Sequence, residues 1–283
     1  KVSFVVHAPS KWKVIANGTL IEKPKNSPDN AIGPKEPRRT WKWKTDVPIP
    51  TYNMVIGAAE MDITTLGIAN FAYSEASPRT DGSIEVSNWT FPEDTEKSRP
   101  SFTRSTDMVN FFATRIGPYP YEKLANVQSS TRFGGMENAS AIFYSQSAIA
   151  KGRNIESTVS HEIAHQWFGD SVTEKEWHHL WLSEGFATYF GALFFEQSDG
   201  ADSFKKRMEK NKDRIIKSKA TDRPIVDYEV NDLFKLLNSN NYPKGAWILH
   251  MLRGLVGDEL FFKGISKYYS KYKDKTVLTD DFS

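Results

Sequence analysis

The sequence predicts an α+β fold, with strands in the first third of the chain and mainly helices beyond about residue 150. Three observations carry this expectation. The run Val14-Ile15-Ala16-Asn17-Gly18-Thr19-Leu20-Ile21 sets an Asn-Gly pair between β-prone residues, the strongest short hairpin signal. Trp41, Trp43 and Thr45 alternate with Lys42 and Lys44, the period of a strand with one polar face. Ile155, Val159, Ile163 and Trp167 recur every four residues, the stripe of a helix packed by one side.

Taken in order, residues 1–60 are β. A loop rich in Pro, Lys and Asn spans residues 22–39, and there is room for about four strands before Gly57. That is few to close a sandwich with its own core, so the segment is expected to be the end of a larger β-domain. The character changes at residue 61. Strand-like runs over residues 63–74 and 83–89 flank an Asp81-Gly82 turn, and a helix over residues 103–116 is stopped by Gly117-Pro118. After the segment 124–144, helices are expected at residues 155–168, 180–197, 202–219 and 244–256.

Composition narrows the chemistry. The 283 residues carry 37 basic and 35 acidic side chains, a net charge of +2 that argues against a dedicated nucleic-acid binder. No apolar run approaches the roughly 20 residues of a membrane span. Residues 1–10 lack the apolar stretch of a signal peptide, so the chain reads as a fragment or a processed product. Cysteine is absent, which excludes disulfides, thiolate metal sites and a cysteine nucleophile. It fits an exported protein as well as a cytosolic one, and oligomeric state is not encoded in any pattern here. Any metal must be held by histidine and carboxylate.

His161-Glu162-Ile163-Ala164-His165 supplies such ligands. At about 100° per residue, the two histidines sit roughly 40° apart on a helix, so both imidazoles reach one ion. Glu162 lies roughly 60° from His165, beside the ion and not on it. Glu184 follows nineteen residues after His165, in Trp181-Leu182-Ser183-Glu184-Gly185, on the next expected helix. Gly185 would let that helix come close. Two His and one Glu leave the fourth tetrahedral position of a zinc ion for water, the arrangement of hydrolytic zinc enzymes. A chance HExxH in this composition arises about 0.01 times per sequence, and a structural zinc would ordinarily have four protein ligands.

The segments HEIAHQWFGD (161–170) and WLSEGFATY (181–189) strongly resemble the gluzincin aminopeptidases, the alanyl/leucyl aminopeptidase family built on a thermolysin-like catalytic domain. Gly134-Gly135-Met136-Glu137-Asn138 matches that family's GxMEN exopeptidase motif, and Tyr242-Pro243-Lys244-Gly245 its Tyr-x-Lys-Gly motif. Tyr119-Pro120-Tyr121-Glu122-Lys123 is also similar to family sequence. The resemblance implies residues 1–60 as the last strands of an N-terminal β-domain, and residues 61–283 as a mostly helical, C-terminally truncated catalytic domain. It also implies that a second amine-binding residue and a covering C-terminal domain lie outside the sequence.

The same resemblance implies roles. One Zn²⁺ is held by His161, His165 and Glu184; Glu162 is the general base; Tyr242 donates to the oxyanion of the tetrahedral intermediate. Pro243 reads as a first helical residue. Glu137 holds the free α-ammonium of a peptide, and Gly134, Gly135, Met136 and Asn138 offer backbone to it as an added strand. The expected partners are peptides with a free N-terminus. A thermolysin-like endopeptidase, a bifunctional epoxide hydrolase/aminopeptidase and a non-catalytic peptide-binding relative are the alternatives.

His178 and His179 beside Trp177 and Trp181 read as packing residues, and His7 and His250 as structural ones. The basic run Lys205, Lys206, Arg207, Lys210, Lys212, Arg214, Lys217 and Lys219 alternates with Phe204, Met208, Ile215 and Ile216. It reads as the solvated face of an amphipathic helix, not as a polyanion site.

Overall fold

The computed structural model describes residues 1–27, 36–71 and 82–282, in two compact units. One comprises residues 1–107 and 120–156, the other residues 108–119 and 157 onward.

In the first unit the chain runs through β1 (Ser3–Pro9), β2 (Lys13–Ala16), β3 (Thr19–Leu20), β4 (Lys25–Asn26), β5 (Arg38–Lys44) and β6 (Ile56–Ala59). β5 pairs antiparallel with β1, β3 and β4, while β2 pairs antiparallel with β6. Trp41 and Trp43 are buried and Lys42 and Lys44 exposed, as their alternation requires. The Asn17-Gly18 pair turns the chain but makes no hairpin, because β2 and β3 enter different sheets. The cause is tertiary. Asn17 Nδ2 donates to the carbonyls of Asn53 (3.0 Å) and Ala139 (2.6 Å), and Asn17 Oδ1 accepts from Val55 N (2.8 Å). A fully satisfied buried amide fixes this corner more strongly than local turn preference would. Among the described residues, the two-residue strands β3 and β4 bring the number before residue 60 to six, against about four expected.

A mixed sheet comes next, made of β7 (Asp62–Asn70), β8 (Ser83–Thr90), β9 (Leu124–Ser129), β10 (Gly135–Met136) and β11 (Ala141–Ser145), in the order β10-β11-β9-β8-β7. β7 and β8 form the expected antiparallel pair; residues 72–74 and Asp81 lie outside the described residues. β8, β9 and β11 run parallel, and β9 is an almost unbroken buried run, as parallel strands are. Trp41, Trp43, Val14, Trp89 and Val127 share one hydrophobic cluster. Beside it Lys123 Nζ donates to Ala16 O (2.8 Å), and burial lowers its pKa to about 7.

Where one helix was expected at residues 103–116, the chain forms α1 (Thr95–Phe102) and α2 (Ser105–Arg115), the latter belonging to the second unit from Met108. Thr103 N and Thr103 Oγ1 both donate to Arg99 O (3.2 and 2.7 Å) where α1 ends. A short α3 (Gln146–Ala150) completes the first unit.

The second unit contains α4 (Glu156–His165), β12 (Val172–Glu174), α5 (Trp181–Asp199), α6 (Ala201–Lys217), α7 (Leu233–Leu236), α8 (Gly245–Val256), α9 (Asp258–Tyr272) and β13 (Lys275–Val277). The expected helices are present, with α4 three residues shorter at its end because Gln166 and Trp167 bond three residues back. α9 was not anticipated, although its buried Phe261, Ile265, Tyr268 and Tyr269 recur at helical spacing. The core gathers around the end of α4. Trp167 Nε1 donates to Gly117 O (2.8 Å), and Phe168 packs against Phe186 and Phe190 of α5. No helix among the described residues is long and apolar enough to cross a membrane.

Candidate metal centre

α4 buries Val159 and Ile163 on one side, with buried Trp167 just beyond its end, which turns His161 and His165 together to the other. α5 brings Glu184 to them. Its approach is close: Ser160 Oγ donates to Gly191 O (3.1 Å), and a Cβ on Gly191 would lie 3.2 Å from the His161 backbone.

Three donor atoms converge there. His161 Nε2 and His165 Nε2 are 3.0 Å apart, and each is 3.2 Å from Glu184 Oε2. Three ligands of a tetrahedral zinc at about 2.0–2.1 Å would be separated by about 3.3 Å, so this near-equilateral triangle fits such an ion. The tautomer agrees. His165 Nδ1 lies 3.0 Å from Phe168 O, which can only accept, so Nδ1 carries the proton and Nε2 offers its lone pair to the centre. Burial pushes His161 below the usual imidazole range, helped by the charges of His165 and Arg214 and opposed by Glu184. Burial raises the Glu184 carboxyl, but the charges and hydrogen bonds of His165 and His161 outweigh it and hold the group well below the ordinary carboxylate range. A His161 held toward its neutral form and an ionised Glu184 are the protonation states that metal ligands need. The group His161, His165 and Glu184 can therefore hold one.

Glu162 is buried, with a carboxylate oxygen within 4.8 Å of a His165 ring nitrogen, beside the triangle and outside it. Tyr242 arrives from a different element. Pro243 is not a first helical residue; Asn240–Lys244 forms a π-helical turn that leads into α8. The Tyr242 hydroxyl donates to Glu184 Oε1 (2.7 Å), and its ring stacks at 15° on His161, centroids 6.0 Å apart. The glycines of the two motifs make this meeting possible. A Cβ on Gly185 would lie 2.8 Å from Gly245 Cα, so α5 and α8 touch backbone to backbone one residue after Glu184. Gly185 was expected to allow a close helix; that its partner is the glycine of the Tyr-Pro-Lys-Gly segment was not.

Gly134, Gly135, Met136, Glu137 and Asn138 lie in the first unit. Gly135 and Met136 form β10, last in its sheet, paired with Tyr144 and Phe143 of β11. Glu137 comes next, half-buried, and Asn138 is buried. His179 takes no part in the centre. Its Nδ1 accepts from Thr279 N (3.0 Å) and its Nε2 meets Tyr228 Oη (2.9 Å), a packing role as expected. His250 sits among Tyr189, Phe204 and Trp247.

The basic face of α6 is not wholly solvated. Arg207, Lys210 and Arg214 border a cavity of about 360 Å³ whose wall also includes His161 and Tyr242. Their i, i+3, i+7 spacing was visible in the sequence; which element they would face was not.

The model of the "Peptidase family M1 domain" matches residues 101–283. The chain belongs to peptidase family M1. Among its M1 relatives, leucine aminopeptidase 2 of Ajellomyces capsulatus is 28% identical over 291 residues, covering 99% of this chain and 43% of the relative. Mouse aminopeptidase N is 29% identical over 219 residues, covering 70% of this chain and 23% of that protein. The crystal structure of the M1 zinc metallopeptidase of Deinococcus radiodurans superposes with a TM-score of 0.77 at 22% identity, over 98% of this chain and 58% of that one. The M1 fold is shared, and the chain spans less than half the length of these two curated relatives.

Proposed function

We propose that this chain holds the catalytic part of a zinc-dependent aminopeptidase, which removes the first residue of peptides with a free N-terminus. The observation that carries the reading is the triangle of His161, His165 and Glu184 with Tyr242 bonded to one of its corners. The names of the M1 relatives, aminopeptidases among them, agree with it.

Zinc held by the three side chains would polarise the scissile carbonyl and acidify a water molecule. Glu162 takes the proton of the attacking water and returns it to the leaving amine; its burial beside the triangle, away from bulk solvent, suits a proton carrier. Tyr242 redirects its hydroxyl from Glu184 to the oxygen that gains charge. Glu137 pairs with the substrate ammonium, and β10, at the end of its sheet, lends backbone to the peptide. The division at residue 60 is part of the same proposal, supported by the first two sheets lying wholly before it and the mixed sheet wholly after it.

An aminoacyl amide assayed against its N-acetylated form tests the reading. Only the free amine should be cleaved, and cleavage should vanish in Glu162→Gln. Equal cleavage of both forms would favour an endopeptidase and remove the role of Glu137.

A further inference from the structure

We infer that the cavity between the metal centre and α6 is an anion-selective subsite for a carboxylate on the leaving side of the substrate. The inference rests on the peptidase reading of the adjoining centre.

The cavity is lined by His161 and Tyr242 and by Arg207, Lys210, Asn211 and Arg214 of α6. Its size, about 360 Å³, suits one amino-acid residue. None of the described residues that line it is Asp or Glu. Arg207 is fixed in place: its Nη1 donates to Ser157 Oγ (2.6 Å), and its guanidinium lies 3.4 Å over the Phe195 ring centroid. Lys210 and Arg214 are exposed and, among the described residues, make no ion pair within 4.0 Å.

Three cations on one cavity wall repel each other, and an anion bound between them relieves that repulsion. A peptide brings two kinds of anion there, an acidic second side chain or, in a dipeptide, the terminal carboxylate. Both lie beyond the scissile bond. With no carboxylate on its wall to pair with an ammonium, the cavity cannot take the amine end, and on the peptidase reading it takes the leaving portion of the peptide. Arginine and lysine then act as a fork and a point charge, the usual carboxylate pairing.

The test uses four substrates with the same first residue: the alanine amide, the free alanine acid, the aspartate α-amide and the lysine amide as second residue. Expected is a kcat/KM at least about tenfold higher for the two carboxylate-bearing peptides than for the alanine amide, with the lysine amide lowest, a spread that shrinks with added salt. Comparing free acid with aspartate amide tells which carboxylate the subsite reads. The Lys210→Ala/Arg214→Ala double variant should bring the ratio near one, and Arg214→Lys should retain it. Equal rates across all four, or an acidic preference at the first residue instead, would overturn the inference. If no substrate is cleaved, the peptidase reading fails by itself. Calorimetric binding of the same peptides then decides the subsite, equal affinities counting against it.

Discussion

The Tyr242 hydroxyl has one proton to donate, and in the structure Glu184 Oε1 receives it. If that proton serves the oxyanion during reaction, Tyr242→Phe should lower kcat by about 10²–10³ while KM changes only a few-fold. The phenyl ring can keep its stacking on His161, so zinc content should stay at that of the wild type. Loss of zinc together with activity would show the hydroxyl to be a structural prop of Glu184. Residues of this kind differ in how far sequence exposes them. His161, Glu162 and His165 are legible because a helix fixes their angles whatever surrounds it. Tyr242 lies 58 residues from Glu184, and its motif is readable only through resemblance. Asn17 misled, since its partners at positions 53, 55 and 139 exist only after folding.

At the level of elements, the site depends on how closely α5 and α8 approach. A Cβ on Gly185 would sit 2.8 Å from Gly245 Cα and 2.9 Å from Gly245 C, and neither backbone atom can rotate away. Gly185→Ala should therefore cost about 1–3 kcal/mol of stability and weaken zinc binding, by shifting Glu184 and Tyr242 apart. Gly254→Ala is the control, because nothing lies within 4 Å of its Cβ position on α8. There the change should be neutral or stabilising by up to about 1 kcal/mol, as removal of a helix-interior glycine is. Denaturant unfolding and zinc titration of both variants would check the contrast; equal effects would discount the helix contact. Of the helices, α4, α5, α6 and α8 were legible from periodicity within a few residues, while α1 and α9 were not anticipated. The π-helical turn at residues 240–244 was not, because Pro243 next to a helical pattern suggests a start, while the packing on α5 selects a wider turn.

Across the whole molecule, the metal centre joins α4 to α5 within the second unit through two imidazoles and one carboxylate, all fully or largely buried. An ion that binds this folded arrangement, and not the unfolded chain, stabilises by mass action. Free zinc at a hundred times its dissociation constant should contribute about 2.7 kcal/mol, which for a unit of this size raises Tm by roughly 5–10 °C. Scanning calorimetry of chelator-treated protein, with zinc restored stepwise, should show that shift. In Glu184→Gln the zinc-dependent part should shrink sharply, since the amide keeps the shape of the third ligand and loses its charge. An undiminished shift in the variant would place the stabilising ion somewhere other than the His161, His165 and Glu184 triangle.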